Sequence, residues 1–177
     1  MNEYIKSDLY RYRGTVKLKD FIHEYRTNSA FRFMVAFRLK KSNGIEYLIG
    51  CILWKMNRNR KISIPIETQI GYGLYIAHEG PVVINPTTVI GDNCNLSQNT
   101  TIGANEGKAA TIGDNVYVGP NVCLVENVVI GDNVTIGAGS IITKNIPKNA
   151  TAAGNYAKVL NYNNPGRYIK NKWNLEK

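Results

Sequence analysis

Histidine, cysteine and long apolar runs are scarce in this sequence of 177 residues. With two histidines and three cysteines, the chain offers no recognisable metal site, and the widely spaced cysteines are typical of reduced thiols packed as small hydrophobes. The most apolar window, 45–56, contains two charged residues and is well short of the roughly 20 residues that span a bilayer. Charges occupy the first eight residues, where an export signal needs an apolar run. We therefore expect a cytoplasmic protein without a transmembrane helix.

Positive charge is nearly missing from the middle of the chain. The whole sequence has 22 basic and 13 acidic residues and a net charge of +9. The segments 1–62, 63–147 and 148–177 carry net charges of +9, −5 and +5. No basic stripe or nucleic-acid-binding module occurs in the acidic middle, so we expect no nucleic acid partner. The chain divides into three predicted regions, 1–62, 63–160 and 161–177.

The first and last regions are predicted to flank the middle one. Apolar residues recur at spacings of three and four through 21–39, and 45–56 suggests a further helix after the Asn43-Gly44 break. We expect these helices to cap the open end of the middle region. The tail begins with turn residues and is predicted to be a basic, solvated arm or a cap over the last repeat.

An aliphatic residue returns every six positions through the middle region. The positions of this ladder are Ile64, Ile70, Ile76, Ile84, Ile90, Leu96, Ile102, Ile112, Val118, Leu124, Ile130, Ile136 and Ile142. The phase breaks twice, with two extra residues after Ile76 and four after Ile102. A period of six is neither helical nor a simple strand alternation. It predicts a solenoid of short strands, in which aliphatic side chains stack inwards and the recurring Gly-Asp-Asn triplets form turns.

The ladder resembles the hexapeptide-repeat family over residues 64 to about 160. Segments 77–85, 95–103 and 151–154 look like its serine O-acetyltransferase branch, which also contains short acetyltransferases of capsule and lipopolysaccharide sugars. The resemblance implies a mainly β fold, a left-handed parallel β-helix with a small N-terminal helical cap, assembled as a homotrimer. It also implies an acetyl-CoA-dependent O-acetyltransferase with acetyl-CoA as co-substrate and no metal.

The resemblance places the family's catalytic base on His78. A neutral imidazole can accept the proton of an acceptor hydroxyl while its oxygen attacks a thioester carbonyl. His23, by contrast, lies in a helical pattern and is interpreted as an ordinary helix residue. The family's aspartate that orients the base falls on Ser63, so Glu79, Glu67 or a backbone carbonyl would have to replace it. Glu79 ranks first because it is adjacent in the chain.

The predicted acceptor site departs from the serine acetyltransferases. Their insertion loop ends in an Arg-His pair that meets the serine carboxylate, and the best match here is Lys108-Ala109. The loss of the histidine favours a sugar hydroxyl, on a surface polysaccharide or its precursor, as the acceptor. The residues that would bind the acceptor are Asp8, Asn85, Asn105 and Lys108, with Glu106 as a further polar neighbour. Asp8 is included because it resembles the family's acidic substrate-contacting residue.

Coenzyme A is predicted from the resemblance to lie in a groove between two subunits. Its phosphates need backbone donors and a few cations. The matching positions are Gly103, Gly119, Ala138, Lys144, Ala153 and Lys158.

Two alternatives stay open at this point, and a third, a carbonic anhydrase, is nearly excluded because the chain has two histidines. In the first alternative the loop has simply diverged and Arg11 or Arg13 binds the carboxylate of L-serine, so that the product is O-acetyl-L-serine for cysteine biosynthesis. A non-catalytic β-solenoid would need flat faces of repeated threonine, whereas Thr100-Thr101 is not repeated. A carbonic anhydrase of similar fold would need three metal-binding histidines. The basic head, finally, suggests a peripheral contact with an anionic glycan or a lipid-linked precursor at the inner membrane surface.

Overall fold

The computed structural model describes residues 1–56, 61–78 and 80–174, and in these ranges helices are followed by a β-solenoid. The helices are α1 (Glu3–Arg13), α2 (Leu18–Thr27), α3 (Ser29–Lys40) and α4 (Gly44–Met56). The strands are β1 (Ile62–Ser63), β2 (Gln69–Ile70), β3 (Tyr75–Ile76), β4 (Val82–Ile84), β5 (Val89–Ile90), β6 (Asn95–Leu96), β7 (Thr100–Gly103), β8 (Thr111–Ile112), β9 (Tyr117–Val118), β10 (Cys123–Val125), β11 (Val129–Ile130), β12 (Thr135–Ile136), β13 (Ile141–Ile142), β14 (Thr151–Gly154) and β15 (Ala157–Asn161).

Successive strands lie in three different parallel sheets, so that three strands make one coil. Sheet A has the order β1-β4-β7-β10-β13, sheet B has β2-β5-β8-β11, and sheet C has β3-β6-β9-β12-β14. β15 turns back and pairs antiparallel with β14 at the end of sheet C. The chain therefore passes repeatedly around three corners, which we call AB, BC and CA after the sheets that they join.

The aliphatic ladder forms the core of the solenoid, as predicted. All of its side chains are buried, none more than 8% exposed. The register stacks them coil upon coil, with Ile76 beside Leu96 in sheet C and Ile84 beside Ile102 in sheet A. A short strand cannot bury its apolar face alone, so stability comes from these stacked neighbours.

Asparagine and glycine have separate tasks at the BC corner. Asn93, Asn115 and Asn133 have φ values of 56°, 56° and 59°, a left-handed conformation that asparagine tolerates well. Gly91 has an ordinary φ, but a side chain would not fit at this position, because a Cβ would lie 2.3 Å from Asp114 Oδ1. Asp114 Oδ1 also accepts a 2.7 Å hydrogen bond from the backbone N–H of Asp92 in the preceding coil. The triplets thus combine a turn residue with a close approach of coils.

The helices dock on the BC corner of the first coil through buried polar contacts. The Asp8 carboxylate accepts two hydrogen bonds from Arg38, at 2.9 and 3.0 Å, and one of 2.8 Å from the Leu74 N–H. Arg11 donates to the Gly73 carbonyl at 2.6 Å and to Asn95 Oδ1 at 2.6 Å. These contacts fix α1 and α3 against the solenoid.

The tail runs back along the solenoid, which differs from both predicted roles. The Gly166 N–H donates to the Asn133 carbonyl at 2.7 Å, near the last coils. Further on, the Trp173 N–H donates to Asn93 Oδ1 at 2.7 Å, two coils earlier. The Lys170 carbonyl accepts from Arg11 Nε at 2.9 Å, which joins the tail to α1. The cap over the last coil is instead formed by β15.

Among the helices that the structure describes, none combines the length and the apolar character needed to cross a membrane.

Candidate active site

His78 lies at the CA corner, in the segment created by the first phase break. β3 ends at Ile76 and β4 begins at Val82, so the two extra residues lengthen this turn. His78 has a φ of 61° and an exposed side chain. A left-handed residue other than glycine is uncommon, although histidine is among those that adopt this conformation more readily. The phase break therefore places the imidazole outside the solenoid.

A cavity of about 280 Å³ adjoins His78 on the outer side of sheet C. Its lining residues are Tyr75, Ala77, His78, Asn95, Ser97, Gln98, Tyr117, Pro120 and Tyr168. Among the described residues of this lining, none is lysine or arginine. Ligand pockets with aromatic walls and a few polar groups are common in enzymes.

Three tyrosines give the cavity its aromatic wall, and the sequence reasoning missed them. Tyr75 and Tyr117 come from β3 and β9, and Tyr168 comes from the tail. The ring centroids of Tyr117 and Tyr168 are 5.0 Å apart. The signal for the first two was present, because each directly precedes a buried ladder residue and so must point outwards. Nothing in the sequence indicated that the tail returns to this sheet.

Gln98 contributes a polar atom without a partner. Its Oε1 atom is buried and accepts no hydrogen bond from the described part of the chain. Asn95, by contrast, is occupied, since its Oδ1 accepts from Arg11 at 2.6 Å and its Nδ2 donates to the Tyr168 carbonyl at 3.4 Å. Gln98 thus has an amide oxygen that no described residue satisfies, and since this oxygen is buried, it reaches a ligand only when the side chain turns towards the cavity.

The orienting partner of His78 is not found among the predicted residues that the structure describes. Glu79 lies outside the described residues. Glu67 is exposed in the turn between β1 and β2, at the AB corner, whereas His78 is at the CA corner. Within residues 1–56, 61–78 and 80–174, the His78 ring forms no hydrogen bond. The structure therefore separates Glu67 from the base and leaves Glu79 as a prediction.

Asp8 is placed differently from its predicted role in acceptor binding. It is 1% exposed, and both of its carboxylate oxygens accept hydrogen bonds from Arg38. A buried carboxylate held by an arginine fork has no free face for a substrate. Asp8 joins the helices to the first coil, and this correction removes it from the candidate site.

Arg11 and Arg13 are also engaged by the protein itself. Arg11 is 4% exposed, and its guanidinium donates to Gly73, Asn95 and Lys170. Burial lowers the pKa of Arg11 from its ordinary value. Arg13 pairs with Glu24 through its Nε atom. Arg11 therefore has no free guanidinium for an acceptor carboxylate, and Arg13 is already paired with an acidic residue of α2.

The predicted loop residues Asn85, Asn105 and Lys108 lie at the AB corner, one sheet away from His78. Asn85 Nδ2 donates to the Ala104 carbonyl at 3.2 Å, which anchors the start of the loop. The Asn105 N–H donates to Glu126 Oε1 at 3.0 Å. Lys108 is exposed on this loop. Within one chain, then, the structure does not bring these residues to the base.

The predicted coenzyme positions divide between the same two corners. Gly119 and Ala138 follow β9 and β12 at the CA corner, where His78 lies. Ala153 and Lys158 follow close by, on the β14–β15 hairpin at the last coil. Gly103 and Lys144 lie at the AB corner, with Lys108. The two groups therefore lie at opposite ends of the strands of sheet A.

Cys94 is a core residue and no nucleophile. Its side chain is fully buried, and burial raises the pKa of the thiol to about 12. The thiol donates to the Gly113 carbonyl at 3.1 Å. Since the thiolate is the reactive form of cysteine, this environment agrees with the predicted structural role.

Comparisons with known proteins fit this geometry. Residues 109–144 match the family model described as bacterial transferase hexapeptide (six repeats). A soybean serine acetyltransferase apoenzyme is similar in structure at 25% identity and a TM-score of 0.71, over 89% of this chain and 67% of that one. A Neisseria gonorrhoeae serine acetyltransferase in complex with serine is similar at 27% identity and a TM-score of 0.66, over 88% of this chain and 67% of that one. The comparisons support an acetyltransferase with a hexapeptide-repeat fold.

The fold is confirmed by these neighbours, and it includes the predicted left-handed β-helix. A Brucella abortus serine acetyltransferase in complex with coenzyme A has the same fold at 22% identity and a TM-score of 0.68, over 88% of this chain and 65% of that one. The chain thus spans about two thirds of the length of these neighbours. No curated protein sequence matches it.

Proposed function

We propose that this protein transfers acetyl from acetyl-CoA to a sugar hydroxyl, with His78 as the general base. The observation that carries the proposal is the cavity beside His78, with its three tyrosines and its unpaired Gln98 oxygen. The similar proteins support the acetyl transfer, because they are serine acetyltransferases and one of them is described with coenzyme A.

The proposed reaction needs one proton acceptor and no covalent acetyl-enzyme. The acceptor oxygen attacks the thioester carbonyl carbon while the His78 imidazole takes the hydroxyl proton. The tetrahedral intermediate then collapses, the C–S bond breaks, and the imidazolium returns the proton to the departing thiolate. Cys94 takes no part, because its buried thiol stays protonated.

The composition of the cavity favours a sugar over L-serine. A carboxylate acceptor needs a cation or several free N–H donors, and the described lining has no lysine or arginine. Of the bases nearby, Arg11 is already paired with protein atoms, Arg167 stacks on the Tyr168 ring at 4.8 Å, and Lys170 lines the adjoining cavity. A sugar ring is uncharged, has apolar faces that pack on aromatic rings, and has hydroxyls that can donate to Gln98 Oε1 when this buried oxygen turns towards the cavity.

The division of the predicted coenzyme positions supports a site shared between subunits. A groove between two copies of the chain would set the CA corner of one copy, with His78, against the AB corner of the next, with Lys108 and Lys144. We accordingly propose the homotrimer and place coenzyme A in that groove. We also propose the cytoplasm as the compartment, since acetyl-CoA is the donor.

L-Serine is the second candidate acceptor. It is favoured by the Neisseria neighbour, which is described in complex with serine. A matched pair of assays distinguishes the two: release of free thiol from acetyl-CoA with a panel of oligosaccharides and nucleotide sugars, and the same assay with L-serine. Turnover with a sugar and not with serine supports our proposal, and turnover with serine alone replaces it by the second candidate.

A further inference from the structure

Helix α4 turns its apolar stripe towards solvent. Five large apolar residues of the helix are between 43% and 74% exposed, namely Ile45, Leu48, Ile49, Ile52 and Met56. Because successive residues of a helix are turned by about 100°, these positions fall within an arc of about 100°. A surface helix normally buries such a stripe against the core, so this one needs an explanation.

The contacts of α4 show why the stripe is outside. The helix packs on α3 through Gly50, where a Cβ would lie 2.3 Å from the Lys40 backbone nitrogen. Leu53 and Trp54, on the same side as Gly50, pack against the two hydrophobic clusters of the protein. The Lys40 ammonium lies 4.9 Å from the centre of the Trp54 ring. The glycine fixes the orientation of α4, and the five apolar residues are left on the far side.

The charge of the first region of the chain indicates what covers the stripe. Residues 1–62 carry a net charge of +9, and Lys55 is exposed beside the stripe. Glu46, the acidic residue of α4, accepts hydrogen bonds from Asn2 and Ser42. An apolar stripe that has Lys55 at its edge and belongs to a region of net positive charge fits an anionic lipid surface, where the side chains enter the headgroup boundary and the cations meet lipid phosphates.

A second copy that pairs through α4 alone, outside the proposed homotrimer, is a poorer occupant of the same surface. Pairing two copies through α4 would bring together two heads that each carry +9, and like charges repel. A helix of 13 residues also offers much less than the roughly 800 Å² per partner of a stable interface.

We propose that α4 is a membrane-surface helix, which lies in the headgroup region of an anionic bilayer and holds the enzyme at the membrane. This inference does not depend on the acceptor or on His78. If the proposed sugar acceptor is correct, the contact would bring the active site to lipid-linked glycans.

Vesicle sedimentation tests the proposal directly. The protein of 177 residues is mixed with vesicles of phosphatidylcholine alone or of phosphatidylcholine with phosphatidylglycerol, at low and at physiological salt. We expect binding to the anionic vesicles, weakened by salt. The double variant Leu48→Ser/Ile52→Ser should bind at least about tenfold more weakly, because two buried aliphatic side chains are lost. The matched control is Val159→Ser/Leu160→Ser on β15, at the other end of the solenoid, which should bind as the parent does.

Each other outcome overturns the proposal. Failure of the folded parent protein to bind anionic vesicles at physiological salt would do so, as would equal binding to neutral and anionic vesicles. A fall in molecular mass of the Leu48→Ser/Ile52→Ser variant in solution, without vesicle binding by the parent, would assign the stripe to a second copy. If that variant does not fold, Lys55→Glu replaces it, and unchanged binding of this variant to anionic vesicles contradicts the role of charge.

Discussion

Asp8 and Arg38 form a buried ion pair that joins the first helix to the third, with hydrogen bonds of 2.9 and 3.0 Å. The Leu74 N–H adds a third hydrogen bond of 2.8 Å from the first coil. The pair is therefore a three-way junction between α1, α3 and the solenoid. Its position explains why an acidic residue that resembles a substrate contact is instead part of the scaffold.

Removal of Asp8 should destabilise the protein and leave acceptor binding unchanged. Asp8→Ala leaves the Arg38 guanidinium buried and without its carboxylate, which costs about 3–5 kcal/mol in the free energy of unfolding. Urea unfolding measures this cost, and steady-state kinetics on the remaining folded protein gives the KM for the acceptor. A large rise in that KM in a stably folded variant would return Asp8 to the substrate site.

Cys94 should be the thiol that resists modification. Burial raises its pKa to about 12, so at pH 8 the group is protonated and shielded. A thiol reagent should label Cys94 only after unfolding, which mass spectrometry of the labelled peptides can show. The half-exposed Cys51 and Cys123 serve as internal comparisons. Rapid labelling of Cys94 in the folded protein would contradict the assigned packing.

Tyr168 should affect the acceptor and not the donor. Its ring stands beside Tyr117 in the wall of the cavity, so Tyr168→Ala removes aromatic surface worth about tenfold in affinity. We expect the KM for the sugar acceptor to rise by about that factor while the KM for acetyl-CoA stays constant. Tyr162→Ala, an exposed tyrosine outside the cavity, is the control. Equal behaviour of the two variants would remove the tail from the site.

Lys144 should contact the coenzyme through a phosphate. If it does, Lys144→Ala raises the KM for acetyl-CoA several-fold, since charge-assisted contacts to phosphate are among the stronger hydrogen bonds. Lys19→Ala, an exposed lysine on α2, should have no effect. An unchanged KM in Lys144→Ala would mean that the coenzyme does not reach the AB corner.

The sequence predicted the solenoid well because its signal is local and repeated. Every ladder residue is buried, and the first phase break coincides with the exposed turn of His78. The relative positions of distant turns were harder to predict. Asn85 and Lys108 are predicted to bind the acceptor, and within one chain they lie at the AB corner, one sheet away from His78.

Contacts between residues that are distant in sequence explain the features that could not be predicted. Asp8 is buried against Arg38, which lies 30 residues further along the chain, and no local sequence pattern predicts such a pair. Tyr168 reaches the cavity because the tail returns through Asn133 and Asn93. In both cases a residue is positioned by contacts with residues far away in the sequence. A periodic sequence pattern carries no information about such contacts.

The most direct test of the central claim is thiol release from acetyl-CoA by the variant His78→Ala. With an accepted sugar, we predict a fall in kcat of about 10²- to 10⁴-fold, the usual contribution of a general base, in a protein whose unfolding transition is unchanged because His78 is exposed and forms no hydrogen bond with the described residues. A variant that turns over acetyl-CoA as fast as the parent would contradict the mechanism.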